Sequence, residues 1–273
     1  MKHILFLFLC STLAFSQTIT EDEFYSKDLP NFALYEDTYF ITGIPLNENI
    51  TKKTADVKYN ISFSQLLTKK SILWGSFVYL SYTQKAFWDV YDNSSPFKEI
   101  NFNPGVAIAK PFWKKDGHLT SILELKAMHE SNGRDSIYSR SWNRISASYK
   151  QSFTEKLQAE LKVWTPVMSL SDNPDIMQYM GYGELIVDYD FIPKVLSAEV
   201  KLNRSFEEEG KGAFRGRVFV RVGEKTNQYI MVEYYNGYGE NLINYDQHTH
   251  MIRIGYALKS RWDDLFKSKK YRD

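Results

Sequence analysis

Three polar residues in the segment 129–143 have the side chains of a hydrolytic site. His129, Ser131 and Asn143 supply a base, a hydroxyl nucleophile and an amide. A serine hydroxyl is inert until a base takes its proton, which an imidazole within hydrogen-bond distance can do. An amide oxygen that accepts the other ring N–H fixes the tautomer of the imidazole. The three residue types therefore predict nucleophilic attack by serine, provided that the fold brings them together.

The alternation of side chains in the flanking segments predicts that they do meet. Side chains along a strand point to opposite faces with a period of two. His129 and Ser131 continue the apolar odd-numbered row of residues 119–131, and Asn143 continues the apolar row of residues 143–149. On adjacent antiparallel strands the three side chains would lie about 5 to 7 Å apart, on a face where unpaired polar groups are costly. Gly133, just beyond the serine, permits a tight turn whose N–H could face a developing oxyanion.

The elements that position these residues are amphipathic strands. Several segments reach ten or more residues, which is enough to cross hydrocarbon at a tilt, whereas strands of soluble proteins average about five or six residues. Short turns alternate with longer polar loops, as in an outer-membrane barrel, and closure removes the sheet edges that lipid cannot satisfy. We therefore predict an all-β fold, a twelve-stranded antiparallel transmembrane β-barrel, over a soluble all-β sandwich or barrel. The predicted strands are 33–42, 56–68, 72–90, 101–113, 117–130, 140–152, 155–166, 177–191, 194–205, 212–222, 227–236 and 248–259.

The chain is predicted to begin with a secretory signal peptide, residues 1–16. This segment has an early lysine, an apolar run and a small-residue pattern before the cleavage point. A lipoprotein signal would need a small residue before Cys10, where Leu9 stands, and the only cysteine leaves with the signal. The rest divides into an acidic lead-in, periplasmic or packed on the barrel, then the barrel and a polar tail. Their predicted bounds are 17–32, 33–266 and 267–273.

The overall charge excludes one class of partner. The formal net charge is +1, whereas binding to phosphate backbones requires a strong basic excess. Nucleic acid is therefore not an expected partner, and the expected surroundings are a membrane.

Several stretches carry a resemblance to a known family. HESNGRDSIYSRSWNR (129–144) and SYTQKAFWDVYDNSSPFKEINFNP (81–104), with DNPDIMQYMGY, GYGENLINYD and DDLF further along, are similar to bacterial outer membrane phospholipase A. The similarity extends from about residue 31 to residue 266. The resemblance implies a barrel in the outer membrane that is active as a calcium-dependent homodimer. It further implies hydrolysis of the acyl esters of phospholipids and lysophospholipids.

The resemblance also implies a role for each matching residue. Ser131 would be the nucleophile, His129 the base and Asn143 the residue that orients the imidazole, with the N–H of Gly133 in the oxyanion hole. Calcium would be bound by the Ser139 hydroxyl and the Arg134 carbonyl of one subunit and by the Ser94 carbonyl of the other, and Asp172 matches an acid at a second calcium site. Hard oxygen ligands of this kind suit calcium.

Gln84 is a further polar residue on a predicted apolar row. It shares its phase with Leu80, Tyr82 and Trp88. An amide in hydrocarbon requires a partner. By the resemblance that partner is the second protomer of a dimer; the alternative is contact with lipid headgroups or water.

Two features depart from the family. The loop after Arg134 reads Asp135-Ser136-Ile137, where the family has Ser-Asp-Pro, so the acid is displaced and the proline is absent. The chain also continues past Phe266, where such barrels often end on an aromatic residue.

A second function class stays open, a non-enzymatic barrel such as a small porin or an inactive relative. Charges predicted on the inner face would close the lumen by ion pairs, which favours the enzyme; they are Lys126, Arg144, Arg217 and Arg221, with Glu124 and Glu160. His248 and His250 share a face, but no third metal ligand is near them in the sequence, so they are interpreted as rim residues.

Overall fold

Segments of alternating apolar and polar residues form strands in the computed structural model. The model describes residues 24–25, 29–68, 73–115, 119–205, 211–223, 226–260 and 263–266. The predicted signal peptide 1–16 and the polar tail 267–273 lie outside these residues. No helix in the described ranges is long and apolar enough to cross a membrane. The strands are β1 (Phe32–Ala33), β2 (Thr38–Pro45), β3 (Asp56–Leu66), β4 (Phe77–Trp88), β5 (Phe97–Trp113), β6 (Leu119–Ser131), β7 (Ser141–Ser152), β8 (Leu157–Val167), β9 (Gly183–Ile192), β10 (Leu196–Arg204), β11 (Gly212–Arg221), β12 (Gln228–Gly237) and β13 (Thr249–Leu258).

Pairing of the strands closes the sheet. Each strand from β2 to β13 pairs antiparallel with the next along the chain, and β13 pairs back onto β2. The two residues of β1 pair with the end of β3 that β2 leaves free. The structure is therefore a closed twelve-stranded antiparallel barrel, and the predicted fold class is confirmed.

Three predicted strand boundaries are wrong in an informative way. The first barrel strand covers Thr38–Pro45 rather than 33–42, and β4 begins at Phe77 rather than 72 because a 3-10 turn at Leu73–Gly75 precedes it. Residues 177–180, predicted as strand, belong to a short helix, α1 (Ile176–Met180). Gly181, with φ of 69°, ends this helix in the left-handed region that glycine adopts readily.

Connections of unequal length define the two ends of the barrel. One end, here called the loop rim, carries the connections 46–55, 89–96, 132–140, 168–182, 205–211 and 238–248. The other end, the turn rim, carries the shorter connections 153–156 and 193–195. At the turn rim, Phe24 and Leu29 of the lead-in pack with Phe77, Leu265 and Phe266 in one buried cluster.

The lumen contains buried ion pairs. Lys58 binds Glu233 and Glu240 at 2.7 and 2.9 Å, and Arg253 binds Asp56 and Glu240. Arg217 joins the same network through Glu233. Charges of both signs therefore pair inside the lumen, and the predicted closure of the lumen by such pairs stays a prediction.

The carboxylates predicted for this closure have other partners. Arg144 pairs with Glu130, and Lys126 lies over the ring of Tyr35. Glu124 accepts hydrogen bonds from Tyr35 and Tyr79, and Glu160 lies 3.6 Å from Lys162.

Candidate active site

The register of β6 and β7 places His129 directly opposite Asn143. The Nδ1 atom of His129 lies 2.9 Å from Oδ1 of Asn143. An amide oxygen only accepts hydrogen bonds, so Nδ1 carries the ring proton and Nε2 is left as an acceptor. The imidazole is thus held in the tautomer that can take a proton from a hydroxyl.

Both residues belong to the outward rows of their strands. Leu125 lies four residues before His129 on the same face of β6 and is 50% exposed. Ile145 lies two residues after Asn143 on the same face of β7 and is 48% exposed. The residues of the opposite phase, Glu130 and Trp142, are buried in the barrel. The polar pair therefore interrupts an apolar outer wall.

Ser131 is the last residue of β6 and shares the outward phase of His129. It pairs with Ser141 of β7 and with Phe102 of β5. Among the described residues, the Ser131 hydroxyl forms no hydrogen bond, so it is free to turn toward the imidazole. Catalytic contacts are often long before substrate binds. The role predicted for Ser131 stays a prediction.

Inward side chains between these residues fix the register of the two strands. Glu130 lies opposite Trp142 and accepts a hydrogen bond of 3.0 Å from the indole N–H. Arg144 donates to the same carboxylate oxygen at 3.0 Å and stacks on the Trp142 ring. Sequence reasoning placed Arg144 on the inner face but did not identify Glu130 and Trp142 as its partners.

The loop that follows Ser131 is organised by the buried side chain of Asn132. Its Oδ1 accepts the N–H groups of Arg134 and Arg140 at 3.3 and 3.0 Å, and its Nδ2 donates to the carbonyl of Tyr138 at 2.9 Å. Gly133, between these anchors, is exposed and has φ of 64°. A Cβ at this position would lie 3.1 Å from the ring of Phe102. Glycine therefore keeps this backbone turn unstrained and open beside Ser131.

The tripeptide 135–137, whose sequence differs from that of the family, contributes to a 3-10 turn at Ser136–Tyr138. Ser136 has φ of 54°, in the left-handed region that costs a non-glycine residue free energy. The N–H of Tyr138 bonds the carbonyl of Asp135 at 3.2 Å. Backbone bonds thus hold this turn without the proline of the family.

Two of the predicted calcium ligands lie side by side. The hydroxyl of Ser139 donates to Oδ2 of Asp172 at 2.8 Å, and the hydroxyl of Ser141 donates to the same oxygen at 3.2 Å. The neighbouring Asn173 is fully buried and its Oδ1 accepts the N–H of Ser141. Hydroxyl and carboxylate oxygens exposed at the loop rim fit a hard cation such as calcium. Among the described residues, no three or more His, Cys, Asp or Glu side chains are arranged so that they could hold a metal ion.

The other two predicted ligands lie in neighbouring loops. Arg134 is connected to β5 by its side chain, which lies 3.4 Å from Glu99 and donates to the carbonyl of Lys98. Ser94 is exposed at the tip of the β4–β5 connection with φ of 63°. In the described part of the chain, Ser94 has no hydrogen bond to Arg134, Ser139 or Asp172. Of the four predicted ligands, the structure joins only Ser139 and Asp172 by a hydrogen bond.

A hydrophobic cluster lies at the loop rim on the inner side of the site. Trp142 packs with Ile176 and Met177 of α1 and with Leu242 and Tyr245 of the connection 238–248. Burial, together with the hydrogen bond that its hydroxyl donates to Asp175, raises the pKa of Tyr245. This cluster closes the barrel interior next to the site, so the site opens outward.

Gln84 lies on the outward row of β4, as predicted. Its Oε1 accepts a hydrogen bond of 2.9 Å from the hydroxyl of Tyr82 on the same strand. This bond occupies the amide oxygen and leaves the amide N–H groups for another acceptor. The predicted contact with a second protomer stays a prediction.

The histidine pair at 248 and 250 is engaged with aromatic residues. His250 Nε2 lies 3.0 Å from the hydroxyl of Tyr234, and the ring of His248 packs edge-on against Tyr238. These contacts agree with their interpretation as rim residues.

Comparison with known proteins adds independent findings. A family model for phospholipase A1 matches residues 32–258. Phospholipase A1 of Salmonella typhimurium is 33% identical over 246 residues, which cover 86% of this chain and 80% of that protein. The structure of outer membrane phospholipase A from Escherichia coli superimposes with a TM-score of 0.74 and 27% identity, covering 83% of this chain and 93% of that one. A Salmonella typhi outer membrane phospholipase dimer with bound calcium gives a TM-score of 0.72 at 27% identity, with coverages of 83% and 91%.

Proposed function

The chain belongs to the phospholipase A1 family, and we propose that it cleaves the acyl esters of phospholipids and lysophospholipids with Ser131, His129 and Asn143. It is an outer-membrane β-barrel phospholipase. The observation that carries the residue assignment is the 2.9 Å contact between His129 and Asn143 on the outward face of the barrel. A substrate lying in the membrane reaches this face without entering the lumen.

The proposed reaction starts with proton transfer from Ser131 to Nε2 of His129 while the Ser131 oxygen attacks the ester carbonyl. Asn143 keeps the proton on Nδ1 and holds the ring in place. The backbone N–H of Gly133 donates to the oxygen that becomes negative in the tetrahedral intermediate. Collapse of this intermediate expels the lysolipid alkoxide, which takes the proton from His129. Water, deprotonated by the same imidazole, then releases the fatty acid from Ser131.

Asparagine in place of aspartate has a consequence for this scheme. It orients the imidazole but adds no charge to stabilise the imidazolium that forms. Additional electrostatic stabilisation of the transition state is therefore needed from the loop around Gly133.

Calcium is the proposed source of that stabilisation. Ser139 and Arg134 would hold it through a hydroxyl and a carbonyl, and the proposed dimer would add the Ser94 carbonyl of a second copy and the Gln84 contact. Asp172, hydrogen-bonded to Ser139, would supply a carboxylate to the second, monomer-type calcium site. When bound, calcium supplies positive charge that favours the developing oxyanion. The support is the adjacency of Ser139 and Asp172 and the calcium-bound dimer of the Salmonella typhi relative. In this scheme a monomer has an incomplete calcium shell, so dimerisation controls activity.

The alternative of a non-enzymatic porin is disfavoured by the lumen. Buried ion pairs among Lys58, Arg217, Arg253, Glu233 and Glu240 cross the interior where a porin has an aqueous channel. A barrel of this kind is expected to show no steady conductance in planar bilayers.

The direct test replaces Ser131 with alanine. Hydrolysis of phospholipid in mixed micelles should fall by at least about 1,000-fold because the nucleophile is lost, while the barrel refolds normally. Refolding is measured by the mobility of unheated protein in gel electrophoresis. Ser152→Ala, at the turn-rim end of β7, is the matched control and should keep full activity. Full activity in Ser131→Ala would rule out the assignment.

Removal of calcium tests the metal role separately. A chelator should abolish hydrolysis by the wild-type protein, and added calcium should restore it. Asp172→Asn should raise the calcium concentration needed for half-maximal activity by about tenfold, since one charge-assisted ligand contact is weakened. An unchanged rate in the chelator would discard calcium as a cofactor.

A further inference from the structure

An open apolar groove of about 670 Å³ lies on the outer wall, away from the candidate active site. It is formed by β2, β12 and β13 near the loop rim. The nearest of these strands to β6 is β2, and β3, β4 and β5 lie between them. Volumes of several hundred Å³ are typical of sites that hold a small molecule. The floor of the groove consists of Thr42, Ile44, Val232, Ile252 and Ile254.

The register shows that this floor belongs to the membrane-facing wall. Ile254 lies opposite Thr42 on one side and Val232 on the other. Arg253, which alternates with it, points into the lumen and is fully buried against Asp56. Ile254 is 54% exposed on the outer wall. The groove therefore opens into the region of the acyl chains.

A built cap closes the loop-rim end of the groove. The hydroxyl of Tyr91, from the β4–β5 connection, lies 2.6 Å from the hydroxyl of Thr42. The connection 46–55 is held by internal bonds, among them Thr54 Oγ1 to the carbonyl of Asn49 at 2.8 Å. Both loops are thus fixed over the wall, and the groove is formed without a ligand.

The cap carries positive charge at the level of lipid headgroups. Lys52 lines the groove and Lys53 is next to it, while the connection 46–55 contains one carboxylate, Glu48. Lys52 is exposed and has no ion-pair partner among the described residues. A lysine on apolar surface near the interface extends its ammonium toward phosphate groups.

We propose that this groove binds a membrane lipid with an anionic phosphate headgroup, its acyl chain on Ile252 and Ile254 and its phosphate at Lys52. The lipid is held and not cleaved. The hydroxyls nearest to it are occupied, since Thr42 donates to the carbonyl of Asp56 and Thr51 bonds Thr54. The groove has no lining residue on β6 or β7, which carry the proposed substrate site.

Native mass spectrometry of the purified full-length protein tests the proposal. Micelles would contain either phosphatidylglycerol or phosphatidylcholine, both as dialkyl ethers, which have no ester for the enzyme to cleave. Wild-type protein should retain one phosphatidylglycerol at least about fivefold more than phosphatidylcholine, because the choline cation offsets the phosphate charge in phosphatidylcholine, whereas phosphatidylglycerol keeps a net negative charge for Lys52. Equal retention of the two lipids would overturn the proposal.

Variants locate the lipid on the barrel. Ile254→Trp fills the groove and should reduce retention of phosphatidylglycerol about tenfold, whereas Leu161→Trp, exposed on the outer wall of β8, should leave it unchanged. Tryptophan is tolerated on membrane-facing walls near the interface, so both barrels are expected to fold. Lys52→Glu should abolish the preference for the anionic lipid without affecting hydrolysis. Retention that survives Ile254→Trp, or a preference that survives Lys52→Glu, would contradict the assignment.

Discussion

The lumen and the outer wall at β6 and β7 both carry polar side chains, but these side chains differ in their hydrogen bonds and ion pairs. In the lumen, Glu233 receives bonds from Lys58 and Arg217, both nearly fully buried. On the outer wall, His129 and Asn143 bond each other, while Ser131 keeps its hydroxyl unbonded within the described residues. The charged groups of this lumen network neutralise one another inside the barrel. Those of the wall leave a hydroxyl and a ring nitrogen available for chemistry.

Glu233→Gln is expected to cause the largest loss of stability and so to distinguish the lumen from the outer wall. Removing one charge from a buried network leaves its partners uncompensated and costs about 3 kcal/mol. The free energy of unfolding, measured by denaturant titration in micelles, should fall by this amount. The rate of hydrolysis by the folded fraction should not change.

The control for this change is Glu155→Gln, in the exposed turn between β7 and β8. It should leave the unfolding midpoint where it is, since exposed charges contribute little. Unchanged stability in Glu233→Gln with lost hydrolysis would reverse the roles given to the two regions.

Asn143→Ala is expected to have a smaller effect, and to lower activity rather than stability. Loss of the hydrogen bond that fixes His129 should lower kcat about 10- to 100-fold, in keeping with the 1.5–3 kcal/mol of a bond to a group that becomes charged. The free energy of unfolding should remain within about 1 kcal/mol of wild type, because the pair lies on the half-exposed outer wall. If Asn143→Ala lowered the free energy of unfolding by more than this and left the specific activity unchanged, Asn143 would be a structural residue.

The outward position of the site residues could be predicted from sequence because it depends only on local alternation. Period two along residues 119–131 and 143–149 places His129 and Asn143 on the face of Leu125 and Ile145, and the structure agrees. Closure of the barrel likewise followed from the number and length of amphipathic segments. These properties need no knowledge of distant partners.

The lumen pairs could not be predicted in the same way. Lys58 and Glu233 are 175 positions apart in the chain, so only the closed barrel shows that they meet. Arg144 was predicted on the inner face, but its pairing with Glu130 and Trp142 was missed because that pairing depends on the register of β6 and β7. Helix α1 was missed because its short sequence also fits strand alternation, and Gly181 ends it through backbone geometry.

The measurement that tests the central claim most directly is covalent labelling with a long-chain alkyl sulfonyl fluoride. Such a reagent reacts with an activated serine, and its chain reaches a hydroxyl on the membrane-facing wall. Peptide mapping by mass spectrometry should find one adduct per chain, on Ser131, with hydrolysis lost in proportion to labelling and no adduct in His129→Ala. An adduct on another residue, or full hydrolysis by protein labelled at Ser131, would contradict the account.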